Sequence, residues 1–166
     1  MSVSWFHRHP DHTTGPLLPV LVAVAVGGAV GAFARYEASR VWPNGSDARL
    51  VWQADEAAFP WTTLLVNAVG CFLMGVLTVA LSERLTRAPH WLSPLLGTGV
   101  LGGFTTFSSY TDDTRRLFED GEAASAVGYL VLTVAAALAG VVLGSALTHA
   151  VLQRGEGTDH TSGQGH

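Results

Sequence analysis

Asn67 lies one helical turn after Thr63 in the apolar stretch WTTLLVNAVGCFLMGVLTVAL (61 to 81), which places an amide and a hydroxyl on one helix face. In GGFTTFSSY (102 to 110), Phe107 and Tyr110 stand three apart with Ser108 beside them; Tyr129 and Thr133 repeat the one-turn spacing later in the chain. These residues offer hydrogen-bond donors and electropositive ring edges, a set able to coordinate an anion that has lost its water. Each also has a plainer reading. Asn67 and Thr63 could bond helix to helix, worth about 0.6 to 2 kcal/mol in a membrane, Tyr129 could anchor at an interface, and Thr133 could simply pack. Gly102 and Gly103 invite a break in their helix, and broken backbone at membrane depth exposes carbonyl oxygens suited to a small cation such as Na⁺.

The elements that must position these groups are membrane helices. The chain has 166 residues, 48% apolar and only 13% charged, a balance that belongs to membrane proteins. Four intervals nearly free of charge approach or exceed the roughly 20 residues a helix needs to cross a bilayer: 17 to 36, 61 to 81, 91 to 110 and 123 to 152. The first is read as a retained span, since no small-residue cleavage pattern follows a short apolar core. The expectation is an all-α membrane protein of four transmembrane helices with a break in the third, with polar, disordered tails at 1 to 16 and 153 to 166 flanking the four-helix domain at 17 to 152. The connector 37 to 60 holds a turn at Pro43, Asn44 and Gly45, with Trp42, Trp52 and Trp61 suited to the membrane interface. The stretch DDTRRLFEDGE (112 to 122) reads as the link from third to fourth span.

Charge and composition exclude several classes. A formal charge of −4 leaves no basic face for nucleic acid. GGAVGAFAR resembles a phosphate loop only superficially, because its glycines lie within a span and let helices approach closely. Cys71 is the sole cysteine, so no intramolecular disulfide forms, and it reads as a small packing residue. His7, His9 and His12 lie in a tail with nothing to orient them toward a metal. Orientation is poorly encoded: Arg8, Arg84, Arg87 and Arg154 fall on one side, Arg40, Arg49, Arg115 and Arg116 on the other, with Arg35 at the boundary. That near-balance predicts insertion both ways round. Four helices are also too few to shield a polar path from lipid, which favours an oligomer and, with dual insertion, an antiparallel dimer.

The segments GGAVGAFARY, TTLLVNAVGCFLMG, GVLGGFTTFSSY and YLVLTVAAALAG together resemble the Fluc (CrcB) family of fluoride channels, over roughly residues 20 to 147. The third-span motif, Gly-Gly-x-Thr-Thr-Phe-Ser, is the specific part. The resemblance implies a dual-topology antiparallel homodimer in the cell membrane, or a heterodimer with a paired homologous subunit. It also implies two fluoride pathways and a structural Na⁺ at the dimer centre, held by backbone carbonyls that map to Gly102 and Thr105. The pathway residues map to Asn67, Thr63, Phe107, Ser108, Tyr110, Tyr129 and Thr133, and the arginine closing the first motif to Arg35, at a vestibule. Tyr110 stands where the family usually has a second Phe, and Ala137 where a further Ser often extends the fourth-span track.

Two other classes compete. A proton-coupled drug or ion exporter needs a membrane-embedded carboxylate, and the sequence places Glu37, Glu83, Asp112, Asp113, Glu119, Asp120 and Glu122 at span ends or in loops. A non-transporting structural membrane protein would use its polar residues only as glue. No nucleophile with a nearby base can be assembled, so an enzyme is not expected.

Overall fold

The computed structural model describes residues 17–41, 59–83 and 88–159, with side chains to Arg154. The expected N-terminal tail and its three histidines, the turn at 43 to 45, Trp42, Trp52, Arg49, Arg84 and Arg87 lie outside these residues.

Among the described residues, three helices are long and apolar enough to span a bilayer. They are α1 (Leu17–Val41), α2 (Trp61–Glu83) and α5 (Ala123–Asp159). At 1.5 Å per residue, the 25 residues of α1 reach about 37 Å, enough to cross the hydrocarbon core. Helix α5 runs past the expected span end at 152 into what the sequence presents as tail. No strand occurs among the described residues.

The third expected span is divided. Its first part, α3, is wound as a π-helix over Pro94–Leu101, where Gly102 N–H bonds Gly97 O, and continues as a single α turn over Gly102–Phe104. Two extended residues follow, Thr105 at ψ 157° and Thr106 at φ −147° and ψ 125°. Helix α4 (Phe107–Glu119) then starts afresh, with Thr106 as its N-cap. The break therefore falls two residues beyond the expected glycine pair, which is itself helical. The stretch 112 to 122 is likewise mostly helix. Asp112 pairs with Arg116 at 2.9 Å and Arg115 with Glu119 one turn apart, so its charges support α4 to Glu119. Gly121, at φ 82°, turns the chain into α5.

Two seams of small residues hold the bundle. Gly27 and Gly31 of α1 lie against the α3 backbone at Leu95, Gly99 and Val100, while Gly103 lies against Gly28. On the other side, Gly140 and Gly144 of α5 meet the α2 backbone at Ala68 and Phe72, and Gly75 of α2 meets Val141. A side chain at these positions would overlap main-chain atoms. Since lipid removes the hydrophobic drive between helices, such close contact is what holds them together. The seams explain why Gly102 and Gly103 do not break the helix: Gly103 serves helix contact. A compact cluster of Leu64, Tyr110, Leu117, Ala126 and Tyr129 joins α2, α4 and α5 beneath the break.

Candidate functional site

The break is closed by a side chain from another helix. Asn67 Nδ2 donates to Thr106 O at 2.9 Å, and Thr106 N–H donates to Asn67 Oδ1 at 2.8 Å. In a continuous helix Thr106 N–H would bond Gly102 O. Similarly, Ser109 N–H, which would bond Thr105 O, goes to Thr106 Oγ1 at 3.1 Å. The helical donors of the Gly102 and Thr105 carbonyls are thus diverted, by Asn67 and by the Thr106 cap. Thr106 Oγ1 also donates to Ser109 Oγ at 3.1 Å and lies 3.2 Å from Ser108 Oγ.

Below this clamp lies a second polar group that the sequence does not reveal. Thr63 Oγ1 donates to Asp113 Oδ2 at 2.7 Å, and Tyr129 OH reaches the same oxygen at 3.4 Å. All three are buried. Asp113 is therefore a carboxylate inside the helix bundle, which corrects the expectation that the chain's carboxylates stay at span ends or in loops. Its signal was periodic: Tyr110, Asp113, Thr114 and Leu117 form the buried face of α4. That pattern emerges only once α4 is known to be a helix.

The aromatic residues continue the arrangement. Tyr110 lies between Phe107 and Tyr129, with ring centroids 5.7 and 5.5 Å away and tilted planes. Phe59 meets Tyr129 edge-on at 5.5 Å. Tyr110 OH donates to Leu130 O at 3.2 Å, so the hydroxyl that departs from the family pattern ties α4 to α5. Thr133 Oγ1, buried on α5, finds no hydrogen-bond partner among the described residues. Most buried hydroxyls have a partner, so Thr133 is an exception within the bundle.

Thr63, Tyr110, Asp113, Tyr129 and Thr133 are thus buried in the subunit, with Asn67 and Thr106 beside the break. Phe107 and Ser108 are not enclosed with them: Phe107 is 76% exposed and Ser108 is also exposed. Arg35 lines a cavity of about 300 Å³ between α1, α2 and α4, together with Thr63, Thr106, Asp112, Asp113 and Arg116. The Thr63 and Asp113 pair thus lines the same cavity as Arg35. Among the described residues no group of three or more His, Cys, Asp or Glu side chains is arranged to hold a metal ion.

Fold and site together define a small helical membrane protein, with a broken third segment and a line of hydroxyl, amide and carboxylate groups through its interior. The chain belongs to the CrcB-like protein family, Camphor Resistance (CrcB), whose model matches residues 22–145. Fluoride-specific ion channel FluC 1 of Streptomyces coelicolor is 46% identical over 136 residues, covering 81% of this chain and 80% of that protein. Fluoride-specific ion channel FluC 2 of Nocardia farcinica is 45% identical over 131 residues, 78% of this chain and 86% of the relative. Fluoride-specific ion channel FluC of Erythrobacter litoralis is 41% identical over 138 residues, 82% and 96% respectively.

Proposed function

We propose that the chain is a fluoride-specific channel of the cell membrane, not an enzyme, which lets fluoride leave the cytoplasm down its electrochemical gradient and so lowers fluoride toxicity. The observation that carries this reading is the buried line of Thr63, Asp113, Tyr129 and Thr133 beneath the Asn67 clamp, in a chain whose relatives are named fluoride-specific channels. Fluoride is small and strongly hydrated, so a narrow passage must replace its water with donors. Thr133 Oγ1 has no partner among the described residues and the second Asn67 amide N–H is not used by the clamp, so these two are ready donors, whereas the single hydroxyl protons of Thr63 and Tyr129 go to Asp113 and donate to fluoride only when turned away from it. The edges of Phe107 and Tyr110 serve between these donors, and Ser108 lies beside them. Arg35 raises the anion concentration at the cavity mouth.

The working unit in this reading is an antiparallel dimer of dual topology, formed with an identical chain or a paired homologue. Its support is the exposure of Phe107 and Ser108, which a single subunit leaves uncovered, and an apolar groove along Ala38, Leu65, Val69 and Phe104. The carbonyls of Gly102 and Thr105, deprived of their helical donors, fit a structural Na⁺ at the centre of such a dimer. When bound, that ion would supply a fixed positive charge that stabilises the broken backbone.

Asp113 supports a second reading, since a buried carboxylate is what a proton-coupled exporter requires. Efflux from liposomes separates the two. A channel releases fluoride when only a fluoride gradient and a charge-balancing ionophore are present, and an exporter needs a pH gradient.

A further inference from the structure

The cavity mouth carries a charge cluster that the pathway itself does not use. Arg116 Nη2 lies 2.9 Å from Asp112 Oδ2, and both side chains are about two-fifths exposed where they line the same cavity as Arg35, which comes from α1 while they come from α4. Asp112 is shared, because its other carboxylate oxygen takes Arg115 Nη2 at 2.9 Å. Arg115 in turn holds Glu119 one turn further along α4. Asp112 and Glu119 therefore balance Arg115 and Arg116, while Arg35 makes no ion pair among the described residues. Asp113 sits deeper, hydrogen-bonded to Thr63.

Taking the channel reading as its basis, we propose that Arg116 is a second anion-recruiting residue at the mouth, and that Asp112 holds and screens it. The Asp112 and Arg116 pair then sets how readily fluoride reaches the pathway when fluoride is scarce. Two cations lining one low-dielectric cavity concentrate an anion within it, and a carboxylate bonded to one of them subtracts from that field. Such an effect acts on arrival, not on passage through the buried donors. It must weaken with salt, because the groups are partly exposed and charges are screened within about 10 Å at 0.1 M ionic strength.

The test is the initial rate of fluoride efflux from liposomes holding the full chain, at fluoride far below and far above half-saturation. Asp112→Asn is expected to raise the low-fluoride rate about two- to fivefold at ~10 mM ionic strength, with the gain disappearing by ~0.5 M and the saturated rate unchanged. Arg116→Gln should lower the low-fluoride rate by a similar factor, and Arg116→Lys should retain it. A gain in rate cannot come from misfolding, so Asp112→Asn remains informative if Arg116→Gln assembles poorly. A conducting wild type with Asp112→Asn unchanged, or changed equally at both salt concentrations, overturns the mouth proposal alone. A wild type without fluoride efflux, alone and with a paired homologue, overturns the channel reading instead.

Discussion

Asn67 grips the backbone of Thr106 at two points, donating from Nδ2 to the carbonyl and accepting the N–H on Oδ1. A side chain on the second helix thereby substitutes for the missing turn of the third. Asn67 is 9% exposed and Thr106 is 8% exposed, so water cannot readily replace either bond.

Asn67→Ala is expected to leave both Thr106 backbone groups unsatisfied. Each such buried group costs about 1 to 3 kcal/mol, and thermal unfolding in detergent should show a clear loss. Fluoride efflux should vanish. Asn67→Asp keeps the acceptor and loses the donor, so its stability should fall between alanine and wild type. Equal melting of all three proteins would show that the clamp does not hold the break.

Phe107→Ile tests the pathway with little disturbance to the subunit fold. Phe107 is 76% exposed within the chain, so its truncation removes little intrasubunit packing. We expect efflux to fall at least tenfold while the protein elutes as the same species in gel filtration. Undiminished efflux would remove Phe107 from the pathway.

The glycine seams separate close contact from mere small size. An alanine at Gly31 would overlap the Val100 carbonyl of α3, whereas the same change at neighbouring Gly28 meets nothing within 4 Å. Gly31→Ala should cost about 1 to 3 kcal/mol, as overpacking does, and Gly28→Ala should be close to neutral. Thermal unfolding of the pair in one detergent checks this directly.

Acid should act on the mouth only at low pH. The hydrogen bond from Arg115, followed by the charges of Arg116 and Arg115 outweighing slight desolvation, holds the Asp112 carboxyl below its usual range. Arg35 and Asp113 are the other charged groups lining the same cavity. Because the folded pKa is depressed, the contribution of Asp112 is fully present above the ordinary carboxylate pKa of about 3.9 and is lost as pH falls through its lower folded value. The difference in low-salt rate between wild type and Asp112→Asn should therefore stay constant from pH 8 to pH 5. A difference that fades near pH 6 would contradict the assigned charge state.

Much of this arrangement was legible because helical spacing is local. Thr63 with Asn67 and Tyr129 with Thr133 each sit one turn apart in apolar runs, and the long spans α1, α2 and α5 follow from composition. The position of the break was not legible. Glycine signals permission to break, but here Gly103 lies on Gly28 within a helical turn, and the break moves to threonines that Asn67 can bond. Asp113 escaped for a related reason: its contact with Thr63 spans 50 residues and depends on α4 folding back across α2. Charge density around 112 to 122 signals a loop, yet pairs such as Asp112 with Arg116 keep that segment helical. The structure also gives the Tyr110 hydroxyl a partner, Leu130 O, that no sequence pattern identifies.

The central claim is tested most directly by fluoride efflux from liposomes containing this chain alone, followed with a fluoride electrode after a K⁺ ionophore is added. The account predicts rapid fluoride release without a pH gradient and no comparable release of chloride. Folded, inserted protein that releases fluoride no faster than empty liposomes, both alone and reconstituted with a paired homologue, would contradict it.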